Sequence, residues 1–243
     1  MNIVLFDGEP FFARNDDRCQ HIRKILKKTA GDTFSAGVVN GPEGIATINR
    51  LDETGLGFDF RPERPMRKLY PVHLVIGFPR PIQLKRLLRD AASLGVSAVY
   101  LTGTDLGEKS YRESTLVDRG AAQASLVEGC MQAGATAIPS LETFDVLSDA
   151  LDAVPAGAVR IVLDTVNPDC SLINAPLEDV SARHPLVLVI GSERGWTAAE
   201  RVRFREAGYR VCSLGSRILR TETAATAALA IALAKTGYME GTE

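Results

Sequence analysis

Hydrophobic and polar positions divide the chain into two regions with different periods. Residues 1–68 carry short apolar runs at 3–6, 34–39, 45–51 and 56–60, and the turn Asn40-Gly-Pro-Glu-Gly44 separates the middle pair. Short runs punctuated by glycines predict the strands of a small β-barrel or curled sheet. One helix is expected among them. Asp16 or Asp17 can cap it, Ile22, Ile25 and Leu26 supply an apolar stripe, and Gly31-Asp32 ends it.

The segment Arg61-Pro-Glu-Arg-Pro-Met-Arg-Lys68 interrupts the pattern. Two prolines among charges read as an extended linker, which places a domain boundary between residues 68 and 69. Beyond it, apolar strands at 72–76, 96–101, 137–138, 159–163, 186–190 and 209–213 alternate with helices at 82–93, 116–132, 144–151, 198–207 and 222–235. Continuous apolar strands alternating with helices predict a mostly parallel sheet covered on both faces. The fold class is therefore α/β behind a small β domain. Ala224, Ala225, Ala227 and Ala228 would let the last helix approach another backbone closely, one from a second subunit being a possibility.

Composition narrows the class. The chain has 243 residues, 45% hydrophobic and 24% charged, with a net charge of −2, an ordinary globular balance. No apolar run approaches the roughly 20 residues that span a bilayer, and the first residues lack the basic start of a signal peptide. Cys19, Cys130, Cys170 and Cys212 are widely separated, as are His21, His73 and His184, so no metal is expected. Reduced, packed thiols and a cytoplasmic location are the expectation.

Two stretches carry candidate chemistry, and neither contains a P-loop, a Gly-x-Gly-x-x-Gly turn or a Gly-x-Ser-x-Gly elbow. The strand at 186–190 runs into Gly191-Ser-Glu-Arg-Gly195, after which Thr197 and Glu200 have capping-box spacing. Loops at the carboxyl ends of parallel strands are where ligands bind. The strand at 209–213 leads into Leu214-Gly-Ser-Arg-Ile-Leu-Arg-Thr-Glu-Thr-Ala224. Two arginines, a glutamate and two threonines between apolar runs need partners if they are buried. Thr221 could cap the helix that follows.

These residues carry a family resemblance. Gly191-Ser-Glu-Arg-Gly195 resembles the Gly-Pro-Glu-Gly-Gly loop of the SPOUT methyltransferases. The segment 214–224 is similar to their Leu-Gly-x-Arg-Ile-Leu-Arg-x-Glu-Thr-Ala, in the form found in the 16S ribosomal RNA uridine-N3 methyltransferases of RsmE type. His21-Ile-Arg-Lys-Ile-Leu-Lys-Lys-Thr-Ala-Gly-Asp32 resembles the same family's N-terminal His-x-x-x-Val-Leu-Arg-x-x-x-Gly-Asp.

The resemblance implies a PUA-like β-barrel over 1–68 and a SPOUT domain with a C-terminal trefoil knot over 69–243. It implies a homodimer whose active sites border the partner chain. It also implies S-adenosylmethionine held by Leu163, Asp164, Gly191, Ser192, Glu193, Gly195, Leu214, Gly215, Ile218, Leu219 and Thr223. The implied partner is ribosomal RNA or the small ribosomal subunit. Ser192 and Arg194 depart from the family loop, as do Met131 and Ala135 from a segment that usually reads Glu-Gln-x-x-Arg.

Methylating N3 of uridine requires removal of its proton or stabilisation of the anion on O2 and O4. Arg220 is the candidate for the anion, and Glu222 for the base or for orienting that arginine; the alternative is an internal ion pair between them. Candidate RNA contacts are Arg18, His21, Arg23, Lys24, Lys27 and Lys28 on the first helix, with Arg194 and Arg217 near the site. Two other readings stay open. One is a SPOUT enzyme acting on a different ribosomal or transfer RNA target, including a ribose 2′-hydroxyl. The other is a non-catalytic RNA-binding assembly factor.

Overall fold

The computed structural model describes residues 2–113 and 120–240. The chain forms two compact units, Met1–Lys68 with Val127–Ile138, and Leu69–Leu126 with Pro139–Glu243. The first unit thus includes a segment that the sequence pattern assigns to the second.

The first unit is a curled five-stranded sheet in the order β1-β3-β4-β5-β2. Its strands are β1 (Val4–Phe6), β2 (Phe11–Ala13), β3 (Thr33–Val38), β4 (Glu43–Leu51) and β5 (Gly55–Arg64). β1 and β3 run parallel and the other pairs antiparallel, with bulges on β4 at Glu43/Gly44 and Ile48/Arg50 that bend the sheet. Gly44 cannot carry a side chain, because a Cβ there would lie 2.1 Å from the carbonyl oxygen of Arg61. Phe58 packs edge-on against Phe6 at 5.1 Å and Phe34 at 5.5 Å, and these rings centre the core. The expected linker is half strand. Pro62 lies on β5 beyond the stretch that pairs with β2, so its missing N–H falls on an open edge.

The first helix differs from its expected form. Asp16 caps α1 (Asp17–Gln20) by accepting from the Arg18 N–H at 2.8 Å, but the chain then continues as a π-helical turn over His21–Ile25. A π turn is wider than an α turn and moves the stripe out of phase. Ile22 is buried, whereas Ile25 is 69% and Leu26 39% exposed. Residues 137–138 form no strand either. The Ile138 N–H is taken by Asn40 Oδ1 at 2.9 Å, and Thr136 donates to the Gly41 carbonyl at 2.6 Å.

The second unit is a wholly parallel seven-stranded sheet in the order β10-β12-β9-β11-β6-β7-β8. Its strands are β6 (Tyr70–Gly77), β7 (Val96–Thr102), β8 (Ser140–Phe144), β9 (Val159–Leu163), β10 (Cys170–Ser171), β11 (Leu186–Ile190) and β12 (Arg210–Ser213). All five residues of β11 are buried, as a central parallel strand requires. The helices are α2 (Pro81–Ser93), α3 (Lys109–Arg112), α4 (Ala121–Ala133), α5 (Leu147–Asp152), α6 (Ala198–Glu206) and α7 (Thr221–Lys235). The start of the expected helix at 116–132 lies outside the described residues, and the helix expected over 144–151 begins only after Phe144 ends β8.

Two helices matter most for the site. α2 starts on Pro81, whose missing N–H costs nothing in a first turn, and buries Leu84, Leu87, Leu88 and Ala91. α7 buries Ala225, Ala228, Leu229 and Ala232 at helical spacing and packs on α2 of the same chain. Its small residues therefore serve an internal contact. Thr226 Oγ1 adds a hydrogen bond to Asp90 at 3.0 Å.

Candidate cofactor and RNA site

The carboxyl ends of β9, β11 and β12 are adjacent, and the loops that leave them enclose a cavity of about 730 Å³. That volume lies within the range of small-molecule and cofactor sites. From β9 come Leu163, Asp164, Thr165 and Val166; from β11, Ile190 and residues 191–196; from β12, Cys212, Leu214 and residues 217–219. The first turns of α2 and α7 complete the wall with Arg80 and Gln83, and with Arg220, Thr221 and Glu222.

Three contacts lock the loops to each other. Trp196, 3% exposed, donates its indole N–H to the Leu163 carbonyl at 2.9 Å, joining the β11 loop to β9. Ser192 hydrogen-bonds Thr104 at 3.1 Å, and the Gly195 N–H closes a tight turn onto the Ser192 carbonyl at 2.9 Å with Gly195 at φ 71°. Thr221 does not cap α7: the cap is Arg220, and the Thr221 hydroxyl reaches the Gly191 carbonyl at 3.4 Å.

The capping box at α6 forms as its spacing predicts, and Glu200 does more than cap. Fully buried, it accepts from the Thr197 N–H at 2.7 Å and from the Asp105 N–H at 2.9 Å, which ties the loop after β7 to the start of α6.

The lining of the cavity combines apolar and charged side chains. Leu163, Trp196, Leu214 and Leu219 offer the apolar slot that an adenine ring requires. Around the rest stand five arginines, most of them already committed. Arg201 pairs with Asp164 at 2.6 Å, Arg194 with Glu108, and Arg80 with Glu193 at 3.2 Å and with the Tyr111 hydroxyl at 3.2 Å. Arg194, expected as a cation free to meet cofactor or RNA, is thus held in an ion pair at the rim. Arg220 and Arg217 differ. Among the described residues no ion pair or side-chain hydrogen bond engages either guanidinium or the Glu222 carboxylate, so Arg220 and Glu222 are not ion-paired with each other.

Most expected cofactor residues come together here: Leu163, Asp164, Gly191, Ser192, Glu193, Gly195, Leu214, Ile218 and Leu219 all line the cavity. Gly215 and Thr223 do not line it. Sequence reasoning missed Trp196, although it directly follows the Gly195 turn. It also missed Gln83, for which the chain gives no local signal, since it reaches the site from a helix about a hundred residues upstream of the 191–195 loop. Cys212 also lines the cavity, its Sγ 3.6 Å from that of Cys170 across the paired strands, and burial with this contact pushes its thiol up to about 12.

The basic residues of the first helix divide by role. Arg18 is not a free surface cation. It forms a two-point ion pair with Asp16, donates to the Leu5 carbonyl at 2.9 Å and lies 4.2 Å over the Phe12 ring. Its hydrogen bonds hold the Asp16 carboxyl below the ordinary range. Arg23 donates to the Asp52 carbonyl at 3.1 Å, and His21 Nε2 is buried without a partner. Lys24 and Lys27 are exposed and Lys28 half-buried. No helix among the described residues is long and apolar enough to cross a membrane, and no cluster of three metal-ligating side chains occurs among them.

Comparison with known proteins defines the class. Residues 66–233 match the family model of the RNA methyltransferase domain, and the chain belongs to this family. It is 43% identical to the ribosomal RNA small subunit methyltransferase E of Treponema pallidum, over 96% of this chain and 91% of that one. It is 28% identical to the ribosomal RNA small subunit methyltransferase E 1 of Borreliella burgdorferi, over 97% of this chain and 98% of that one. Among solved structures, its fold is shared with the small subunit methyltransferase E of Neisseria gonorrhoeae bound to S-adenosylmethionine. The TM-score is 0.81 at 21% identity, covering 97% of this chain and 98% of that one. A Legionella pneumophila methyltransferase in complex with the same cofactor gives 0.82 at 21% identity, with the same coverage.

Proposed function

We propose that this chain is an S-adenosylmethionine-dependent methyltransferase acting on N3 of a uridine in 16S ribosomal RNA of the small subunit. The observation that carries this reading is the cavity at the ends of β9, β11 and β12. Its apolar side chains suit adenine, and the same lining presents two unpaired arginines, Arg217 and Arg220, and the unpaired Glu222 carboxylate. The relatives named above supply the substrate class.

Leu163, Leu214, Leu219 and the 191–195 loop would hold the cofactor, with Trp196 fixing the loop. When bound, S-adenosylmethionine supplies an electrophilic methyl group. The rest falls to this chain's residues. Glu222 accepts the N3 proton, and Arg220 donates to a uracil carbonyl on which the resulting negative charge resides. The positive end of the α7 dipole, whose first residues line the cavity, favours that anion. Phosphate contacts fall to the exposed Lys24 and Lys27, with Arg217 beside the cavity.

The same reading makes the protein a cytoplasmic homodimer with knotted C-terminal segments. Ile218, 88% exposed beside the cavity, is an apolar side chain that a partner chain would cover. The test is methyl transfer from labelled cofactor to small subunits lacking the modification, followed by nucleoside analysis. 3-Methyluridine is the expected product. Ribose 2′-O-methylation, or cofactor binding without transfer, sinks the proposal. Arg220→Ala should lower kcat by about 10²–10³-fold with little change in cofactor affinity. Equal loss of both would make Arg220 a structural residue.

A further inference from the structure

We propose that Cys170 and Cys212 are a modification site: peroxide joins them in a reversible disulfide, and the bond weakens cofactor binding in the adjacent cavity. The effect on the cofactor rests on the methyltransferase reading above, whereas the bond itself does not.

The two cysteines are in register at the edge of the large sheet. β10 is its outermost strand, parallel to β12, and Cys170 pairs directly with Cys212. In-register neighbours point to the same face, and here the two sulfurs meet at 3.6 Å. Paired strands stand about 4.8 Å apart, inside the range of Cα spacings that a disulfide bridges. Cys170 is half-buried and within reach of a small oxidant, whereas Cys212 is fully buried. The other two thiols, Cys19 and Cys130, are fully buried in the first unit, where Cys130 donates to the Ala137 carbonyl at 3.3 Å.

The chemistry balances with hydrogen peroxide as the two-electron oxidant. The Cys170 sulfur attacks one peroxide oxygen and the O–O bond breaks. The other oxygen leaves as water with the thiol proton, and Cys170 becomes a sulfenic acid. The Cys212 sulfur then attacks that of Cys170. An S–S bond forms, the S–O bond breaks, and the hydroxyl departs as water with the second thiol proton. Two thiols and one peroxide thus become one disulfide and two waters. Burial and the Cys170 contact keep the Cys212 thiol protonated, which slows the second step. The fixed approach of the two sulfurs offsets this by making the step intramolecular. A dithiol reverses the bond by exchange, so in a reducing compartment it is transient, as suits a sensor.

The bond acts on the cavity through β12. Side chains on neighbouring strands stand side by side, so the two Cβ atoms keep roughly the strand spacing, beyond the 3.5–4.5 Å or so of a disulfide. Closure therefore draws Cys212 toward β10. Asp169 keeps the pair in register, since its carboxylate accepts from the Val211 N–H at 2.8 Å and from Arg205 at 3.1 Å. The movement is passed to the other neighbours of Cys212. Its carbonyl accepts from the Asp164 N–H at 3.0 Å, and Leu214 follows two residues later. Asp164 and Leu214 both line the cavity.

The experiment uses the full chain, fully reduced or treated with hydrogen peroxide that is then removed. Free thiols are counted after denaturation, linked peptides are identified by mass spectrometry, and S-adenosylmethionine affinity is measured by calorimetry. Peroxide should lower the thiol count from four to two and join the peptides of Cys170 and Cys212. Affinity should fall about 10-fold and recover with dithiothreitol. Cys170→Ser, or Cys170→Ala if the serine variant misfolds, should bind cofactor like reduced wild type and keep that affinity after peroxide. A count that stays at four, or a disulfide between other cysteines, would overturn the proposal. So would a Cys170–Cys212 bond with unchanged affinity, or a Cys170 variant that loses affinity on oxidation as wild type does. Reduced wild type that fails to bind the cofactor would refute the methyltransferase reading instead, and the thiol count would still judge the bond.

Discussion

Trp196→Phe is the sharpest test of how the binding loops are held. The indole is 3% exposed, donates to the Leu163 carbonyl at 2.9 Å, and meets the Phe204 ring edge-on at 4.7 Å. Its Cε2 would also lie 3.1 Å from a Cβ on Gly191, so ring and glycine are fitted to each other. Phenylalanine keeps most of the aromatic packing and loses the donor. An unpaired buried acceptor costs about 1–3 kcal/mol. The smaller ring leaves a void worth roughly 1 kcal/mol more. The expected destabilisation is therefore about 2–4 kcal/mol, read as a lower urea midpoint by far-ultraviolet circular dichroism at unchanged slope. Because the bond joins two loops of the cavity, cofactor affinity should fall as well. Trp196 is the only tryptophan in the chain, so wild-type fluorescence should respond to cofactor titration. A destabilisation below about 0.5 kcal/mol, or affinity equal to wild type, would refute the view that this hydrogen bond sets the loop positions.

Two further predictions concern buried ionisable groups. Glu200→Gln replaces a carboxylate that accepts on both oxygens with a group that accepts on one, setting an N–H against the Asp105 or Thr197 amide. It should cost about 1–3 kcal/mol in chemical unfolding, and a neutral result would show that the link between α6 and the loop after β7 carries no energy. Burial also pushes the Cys130 thiol up to about 11 and that of Cys212 to about 12, from an ordinary 9.0. The unfolded chain ionises these thiols first, so their contribution is complete below pH 9 and is lost as pH rises through the folded values. The loss should reach on the order of 2 kcal/mol by pH 10. Replacing both cysteines by alanine should flatten that decline, and an unchanged slope would refute the assignment.

The sequence by itself determined the class of each unit and most of one wall of the site. Continuous apolar runs such as residues 186–190 specify buried parallel strands, because only such strands are covered on both faces. The loops at 191–195 and 214–223 were legible because glycines and clustered polar groups stand at strand ends, and Thr197 with Glu200 fixed a helix start from spacing alone. Periodicity failed where winding changed. The π turn at His21–Ile25 exposes Ile25, and a stripe counted at 3.6 residues per turn cannot show this. It failed again at 137–138, where a side chain, not a neighbouring strand, takes the backbone hydrogen bond.

Only the tertiary structure decided which charges are free. In sequence, Arg18, Arg194 and Arg220 are equivalent cations. In the fold, Arg18 is bound to Asp16 and Arg194 to Glu108, and Arg220 alone of the three remains available. Tertiary structure also brought Gln83 from α2 to loops that begin about 80 to 130 residues later, by packing α2 on α7. Local pattern records which residues prefer a strand end or a helix face. It carries no record of which distant side chain fills the space opposite, because packing among elements decides that.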